Sequence, residues 1–161
     1  YLNVGGIRSK GIEAALAYRF PMGLTLSASY SYNHAVYIGT GDTAQDEDVG
    51  ITPGVQVSSS PRNMWVLSAD YRRSVFKAGL SAKYVGNRFI DDVGGDVAPH
   101  YTLLNGYIGM DLDRISDQLS GASVTIQATN LTDKRYLGGG GGGAAFLGAP
   151  RTVTASLTFD F

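Results

Sequence analysis

Residues able to do chemistry are few in this 161-residue chain, and they are scattered. The stretch Asp42-Thr43-Ala44-Gln45-Asp46-Glu47-Asp48 concentrates carboxylates. Hard cations such as Ca²⁺ favour several carboxylates on a flexible loop, but the spacing and closing Glu of an EF-hand are absent. The stretch therefore reads as a solvated loop, with a metal site as the lesser alternative. His34 and His100 are solitary and fall near strand ends, which suits polar interfacial residues, with ligand contact as the alternative. Gly138 to Gly143 is an unbroken glycine run. It lacks the Gly-Lys-Ser/Thr of a phosphate loop and opens no helix, so it reads as a flexible loop. With no cysteine there is neither a disulfide nor a thiolate metal site. Neither histidine lies in a nucleophile motif. The expectation is a protein that is not an enzyme and needs no cofactor.

The elements that must position these residues are unusual. Charged residues make up 17% of the chain, against ~25% in soluble domains, while glycine and tyrosine are abundant at 22 and 10. A net charge of −1 leaves no basic field for nucleic acid. No apolar run approaches the ~20 residues of a transmembrane helix. The chain opens Tyr1-Leu2-Asn3, without an initiator Met or signal peptide, and is expected to be a piece of something longer.

Seven segments alternate with period two, and no convincing helix is found. Ile12, Ala14, Leu16 and Tyr18 share one face of the first, and Leu24, Leu26, Ala28, Tyr30 and Tyr32 one face of the second. Trp65, Leu67, Ala69 and Tyr71 follow in the third, then Phe76, Ala78, Leu80, Ala82 and Tyr84 in the fourth. The fifth is weaker, with Leu104, Gly106, Ile108, Met110 and Leu112. Val124, Ile126 and Ala128 mark the sixth. Val153, Ala155, Leu157, Phe159 and Phe161 mark the last. The opposite faces carry mainly Ser, Thr, Gly and Ala, with sparse charge at Glu13, Arg19, Asp70, Lys77, Lys83 and Asp111. These charges are expected to hydrate a lumen, or to pair with one another or with a plug.

A lipid-facing band needs only apolar surface, so small residues suffice, and Tyr and Trp settle at the interfaces. From Phe76 to Tyr84 the strand spans roughly 26 Å. Tilted by about 40°, that is about 20 Å, close to the apolar belt of an outer-membrane barrel. Connection lengths agree. Pro21-Met22-Gly23, Arg72-Arg73-Ser74 and the compact Asp113 to Gly121 alternate with long stretches from Tyr37 to Arg62, Gly86 to Pro99 and Thr132 to Pro150. Such barrels have short periplasmic turns and long extracellular loops. Tyr18, Phe20, Tyr71, Phe76, Phe159 and Phe161 are expected in an inner aromatic girdle, with Tyr32, Trp65 and Tyr84 near the outer one. Two rivals remain: a small structural or adhesive barrel of eight strands, and a soluble β-sandwich binding module.

The end of the chain resembles TonB-dependent receptors. Asn130-Leu131-Thr132-Asp133-Lys134-Arg135-Tyr136 is similar to that family's NL-x-D-K-x-Y segment. Gly148-Ala149-Pro150-Arg151 is similar to the G-x-PR that leads into its final strand. Weaker echoes are Gly11-Ile12-Glu13, Tyr84-Val85-Gly86 and Pro99-His100-Tyr101. The resemblance implies that residues 1–161 are the C-terminal part, about seven strands, of an all-β, antiparallel, up-and-down barrel of twenty-two strands. Its plug domain and TonB box are absent here. It implies an outer-membrane importer of a scarce nutrient, a ferric siderophore or similar chelate. Its partners would be membrane lipid, the TonB energy-coupling complex and the barrel assembly machinery. The terminal row Leu157, Phe159 and Phe161 resembles the signal that this machinery reads.

Overall fold

The structure, a computed structural model, describes residues 5–112, 115–141 and 143–159. In chain order the elements are β1 (Gly6–Arg19), β2 (Leu24–Ile38), helix α1 (Thr43–Asp48), β3 (Asn63–Arg73), β4 (Phe76–Val85), β5 (Arg88–Phe89) and β6 (Val97–Ala98). β7 (Tyr101–Asp111), β8 (Ala122–Thr129), β9 (Leu137–Gly141), β10 (Ala144–Leu147) and β11 (Thr152–Phe159) follow. Seven of these strands form one sheet in the order β1-β2-β3-β4-β7-β8-β11. Every neighbouring pair is antiparallel. The β9/β10 and β5/β6 pairs are separate ribbons in the long connections. The seven-stranded sheet has two free edges, β1 and β11, so it is not closed.

Register carries the period-two pattern across the whole sheet. One row runs Tyr18, Leu26, Ala69, Leu80, Gly106, Ala128, Val153, a residue from each strand. One position away, the row Ala17, Ser27, Ser68, Ser81, Asn105 crosses the first five strands on the other face. A one-residue slip at any pair would exchange these faces, so the apolar row specifies the register. The apolar face is bare: Leu16 is 73% exposed, Ile108 61% and Leu80 54%. A β-sandwich would cover those side chains with a second sheet. The single sequential sheet excludes that alternative.

Short and long connections alternate from end to end. The β1–β2 turn is closed by Gly23 N–H donating to Phe20 O at 3.1 Å. The β3–β4 turn is shorter still, with Ser74 at φ 52°. At the other end β1 and β2 run further than their alternation implied, from Gly6 and to Ile38, and stand above the shorter neighbouring strands. The buried residues gather at this long-connection end: Ala35, Ile51, Val85, Ala98, Tyr101, and the polar Asp46, Gln56, Arg88 and Asn130. Ala122, at the start of β8, lies at the opposite end.

Two sequence expectations are corrected here. The acidic stretch is not wholly a solvated loop. Asp42 caps α1, its carboxylate accepting from the backbone N–H groups of Ala44 at 3.0 Å and Gln45 at 3.4 Å. Asp46 is buried, and its Oδ1 accepts from Thr40 N at 2.7 Å and Thr40 Oγ1 at 2.8 Å. An Asp that satisfies an N-terminus and an Asp that satisfies a turn need no counter-ion. The glycine run is not a featureless loop either. Leu137–Gly141 pairs with Ala144–Leu147 as a hairpin, because neighbouring loops bond to its backbone.

Candidate functional site

The polar face of the sheet holds the charges as a partly paired lining. Lys77 Nζ and Asp111 Oδ1 form a salt bridge at 3.1 Å across β4 and β7. Asp70 accepts from Tyr107 Oη at 2.9 Å and from Ser68 Oγ at 3.1 Å, and the Ser27 and Ser68 hydroxyls meet at 2.7 Å. The register places Asp70, Gly79 and Tyr107 in one row. A Cβ on Gly79 would stand 2.3 Å from the Tyr107 ring, so glycine is what lets this ring cross β4 to reach Asp70. Glu13, Arg19 and Lys83 remain exposed on the same face.

Above that lining the three long connections bond to one another. The first, residues 39–62, folds back along β2: Tyr37 N donates to Val55 O and Val57 N to Ala35 O, each at 3.0 Å. It meets the second, residues 86–100, through Ser59 N donating to Phe89 O at 2.8 Å, and Tyr37 Oη at the end of β2 donates to Asp92 Oδ1 at 2.6 Å. Ser59 Oγ also donates to Gly140 O in the third connection. Arg88 Nη2 donates to Leu137 O, and its guanidinium lies 5.6 Å above the Tyr101 ring, which packs 4.3 Å from Tyr136. In the second connection the backbone N–H of Asp96, with those of Gly95 and Gly94, holds the Asp91 carboxyl below its usual range. A pocket of about 420 Å³ opens where the first two connections meet, with Gln56, Arg62, Asn63, Asn87, Arg88 and Phe89 among its lining.

The two C-terminal sequence motifs are one physical unit at the foot of the third connection. Asn130 takes a left-handed φ of 51°, which Asn tolerates, and leaves β8 buried. Its Nδ2 donates to Lys134 O at 2.9 Å and Ala149 O at 3.0 Å, and its Oδ1 accepts from Lys134 N at 2.8 Å. Asp133 Oδ1 accepts from Arg151 N at 3.0 Å, and Tyr136 O from Gly148 N at 2.8 Å. The Tyr136 ring lies flush on Gly148, where a Cβ would meet it at 2.0 Å. Asn130, Asp133 and Tyr136 thus clamp the strand that Gly148 and Arg151 lead into.

The aromatic residues separate by end. Tyr18 and Phe20 meet edge to face at 4.7 Å near the short turns, where Tyr71 and Phe76 are also exposed. Trp65 and Tyr84 are cross-strand partners, stacked at 5.5 Å, on the long-connection side, with Tyr30 next to Trp65 in the row. Leu157 and Phe159 are exposed at alternate positions on β11. Phe161 lies outside the described residues. His34 is on β2 opposite Lys10, and His100 precedes β7, its backbone N–H donating to Asn87 Oδ1 at 2.6 Å. β3 and β4 separate these strands, so the two histidines are not brought together. Among the described residues no three His, Asp or Glu side chains gather into a metal-binding group. Sequence reasoning missed Arg88. A lone arginine after Gly86-Asn87 gives no periodic signal.

The comparisons with known proteins fit this geometry. Residues 1–131 match the family described as TonB dependent receptor-like, beta-barrel. The chain is 29% identical to the ferrioxamine receptor of Yersinia enterocolitica, over all of this chain and 22% of that protein. It is 32% identical to the ferric-pyoverdine M114 receptor PbuA of Pseudomonas sp. strain M114, over 99% of the chain and 19% of the relative. In structure it is similar to the siderophore receptor PiuA from Acinetobacter baumannii, with a TM-score of 0.78 and 18% identity, over 95% of this chain and 22% of that one. The chain thus spans about a fifth of the length of the curated relatives it matches. Those relatives are named as receptors, and the family is one of outer-membrane β-barrels. An apolar face left bare, a polar face lined with small and charged residues, and loops sorted by length are what such a wall requires, and this chain belongs to the TonB-dependent receptor β-barrel family.

Proposed function

We propose that residues 1–161 form the C-terminal part of the barrel of a larger receptor that imports a ferric siderophore or similar metal chelate, driven through TonB. The observation that carries this reading is the fusion of three long connections into one packed cap above a polar wall. A cap built this way can present one surface to a ligand arriving from outside, while the apolar face meets lipid. Relatives named as ferrioxamine and ferric-pyoverdine receptors support the ligand class. In this role the chain supplies wall and loops and does no covalent chemistry. Tyr18, Phe20, Tyr71 and Phe76 would lie at the periplasmic interface, and Trp65 and Tyr84 at the outer one.

The test is uptake of iron-55 by an iron-starved strain lacking the gene, complemented or not, given ferrioxamine, ferric pyoverdine or ferric citrate. At least one chelate should be taken up only in the complemented strain, and a protonophore should abolish that uptake. Uptake of none of the three, with the receptor present in the outer membrane, would count against the reading.

Leu157, Phe159 and Phe161 are proposed as the signal read by the barrel assembly machinery, supported by the exposed alternate positions of Leu157 and Phe159. Deleting Phe161 from the full-length receptor should sharply reduce heat-modifiable barrel in outer-membrane fractions, yet leave refolding of the purified chain in detergent intact. Phe20→Ala should cost only the burial of one interfacial ring, about 1–3 kcal/mol. Equal, modest losses in both would leave Phe161 a girdle residue and nothing more.

A further inference from the structure

The pocket between the first two long connections has a composition that the transport reading does not use. Among the described residues its lining includes Arg62 and Arg88 and no carboxylate. Arg88 is only 5% exposed. Its Nη2 is spent on Leu137 O and its face on Tyr101, but its Nη1 is buried with no hydrogen-bond partner among the described residues. A buried, charged N–H left unpaired is costly, and guanidinium pairs best with an oxyanion.

The neighbouring amides add donors. Asn87 Oδ1 accepts from the backbone N–H of His100 at 2.6 Å. That donor cannot be reversed, so the oxygen of Asn87 must face it and its NH₂ remains for another acceptor. Asn63, whose side chain hydrogen-bonds Tyr30 Oη at 2.7 Å, adds a second amide to the lining. Arg62 is exposed and supplies a second positive charge. Two guanidinium groups and the Asn87 NH₂, with no carboxylate among the described lining residues, make a concavity rich in donors, although Gln56 spends its own NH₂ on Ser60 O.

We propose that this pocket binds an oxyanion, a phosphate or carboxylate group, seated on Arg88 and Arg62. The group has two available sources: an anionic substituent on a dissolved ligand, or a phosphate of outer-leaflet lipid near the Trp65–Tyr84 pair. The proposal stands whatever cargo the receptor carries.

The test uses the full-length receptor in detergent free of lipopolysaccharide, titrated calorimetrically with citrate and with inorganic phosphate. A parallel arm places it in phosphatidylcholine nanodiscs containing lipopolysaccharide with or without its lipid A phosphates, and measures how much lipopolysaccharide is retained. Arg88→Gln and Arg62→Gln should each weaken the anion interaction about tenfold, equivalent to ~1.4 kcal/mol. A loss confined to citrate or phosphate assigns a dissolved ligand. A loss confined to phosphorylated lipopolysaccharide assigns the outer leaflet. Wild-type receptor that binds none of citrate, phosphate and phosphorylated lipopolysaccharide overturns the proposal. So do variants that bind as wild type does while their barrels stay heat-modifiable. If Arg88→Gln fails to fold, Arg62→Gln and Arg88→Lys carry the test. Lys keeps the charge but loses the planar fork, so Arg88→Lys should retain binding that is weakened but measurable.

Discussion

The wall and the cap of this molecule are held together by different means. In the wall, seven strands repeat one rule: backbone ladders between neighbours, apolar side chains on one face, small polar ones on the other. Leu16, Leu80 and Ile108 are exposed with no second protein layer over them, as a lipid-facing band requires. In the cap, Ala35, Ile51, Val85, Ala98 and Tyr101 are buried as in a soluble domain, beside buried Asp46, Gln56, Arg88 and Asn130. The wall therefore depends on the surrounding solvent being apolar, and the cap depends on particular hydrogen bonds between segments distant in sequence. Damage in the wall should follow face and depth. Damage in the cap should follow hydrogen-bond partners.

The sharpest way to break this contrast is in the wall. Leu80→Arg in the full-length receptor should destabilise the barrel by about 2–4 kcal/mol if Leu80 lies near the midplane. Ser81→Arg, one residue along and on the polar face, should cost far less. Denaturant titration in detergent or lipid reports both, and equal losses would mean that the two faces are not lipid and lumen.

Next comes the cap. Asn130→Ala removes the donor for Lys134 O and Ala149 O and the acceptor for Lys134 N, at a buried position. A loss of about 1–3 kcal/mol is expected. It should show as faster hydrogen exchange and proteolysis across 134–151, with the β3 and β4 amides unaffected. Gly148→Ala, which forces a Cβ into the Tyr136 ring, should loosen the same segment by about 1–3 kcal/mol. Loss spreading to β3 and β4 would show that wall and cap are not separable.

A smaller effect is expected where the wall carries charge. Lys77→Met removes the pair with Asp111, whose side chains retain 15% and 29% exposure. That contact is worth about 1 kcal/mol or less after solvent screening, and the loss should shrink further in high salt.

The smallest effect lies on the rim of the cap. The folded-state pKa of Asp91 falls below its ordinary value of 3.8, because backbone N–H groups of Asp96, Gly95 and Gly94 stabilise the carboxylate. Its contribution is therefore fully present above 3.8 and is lost as pH falls through the lower, folded value. An NMR titration of the Asp91 carboxyl should show a midpoint below 3.8, and a midpoint at or above it would contradict the turn.

By itself the sequence determined the wall. Period two is a local property, so Phe76 to Tyr84 declares its two faces without knowing its neighbours, and the same holds for Thr152 to Phe159. The order of strands followed too, since each short turn leaves only an antiparallel neighbour and long loops must then share one side. The motifs Asn130 to Tyr136 and Gly148 to Arg151 could be recognised as a family likeness, but their meaning as a single clamp could not. Only tertiary structure decided that Asp46 turns inward to Thr40, that the glycine run pairs as a hairpin, and that Arg88 lies over Tyr101 with one nitrogen lacking a hydrogen-bond partner among the described residues. Arg88 depends on Leu137 and Tyr101, and the glycine hairpin on Ser59 beside it, all remote in sequence, while Asp46 reaches only to nearby Thr40 through a turn that no periodicity marks. Isolated residues such as Arg88 leave no periodic trace of such partners. The physical reason is the range of the interaction: alternation is written within one strand, whereas a loop's hydrogen bonds are settled only when other loops arrive beside it.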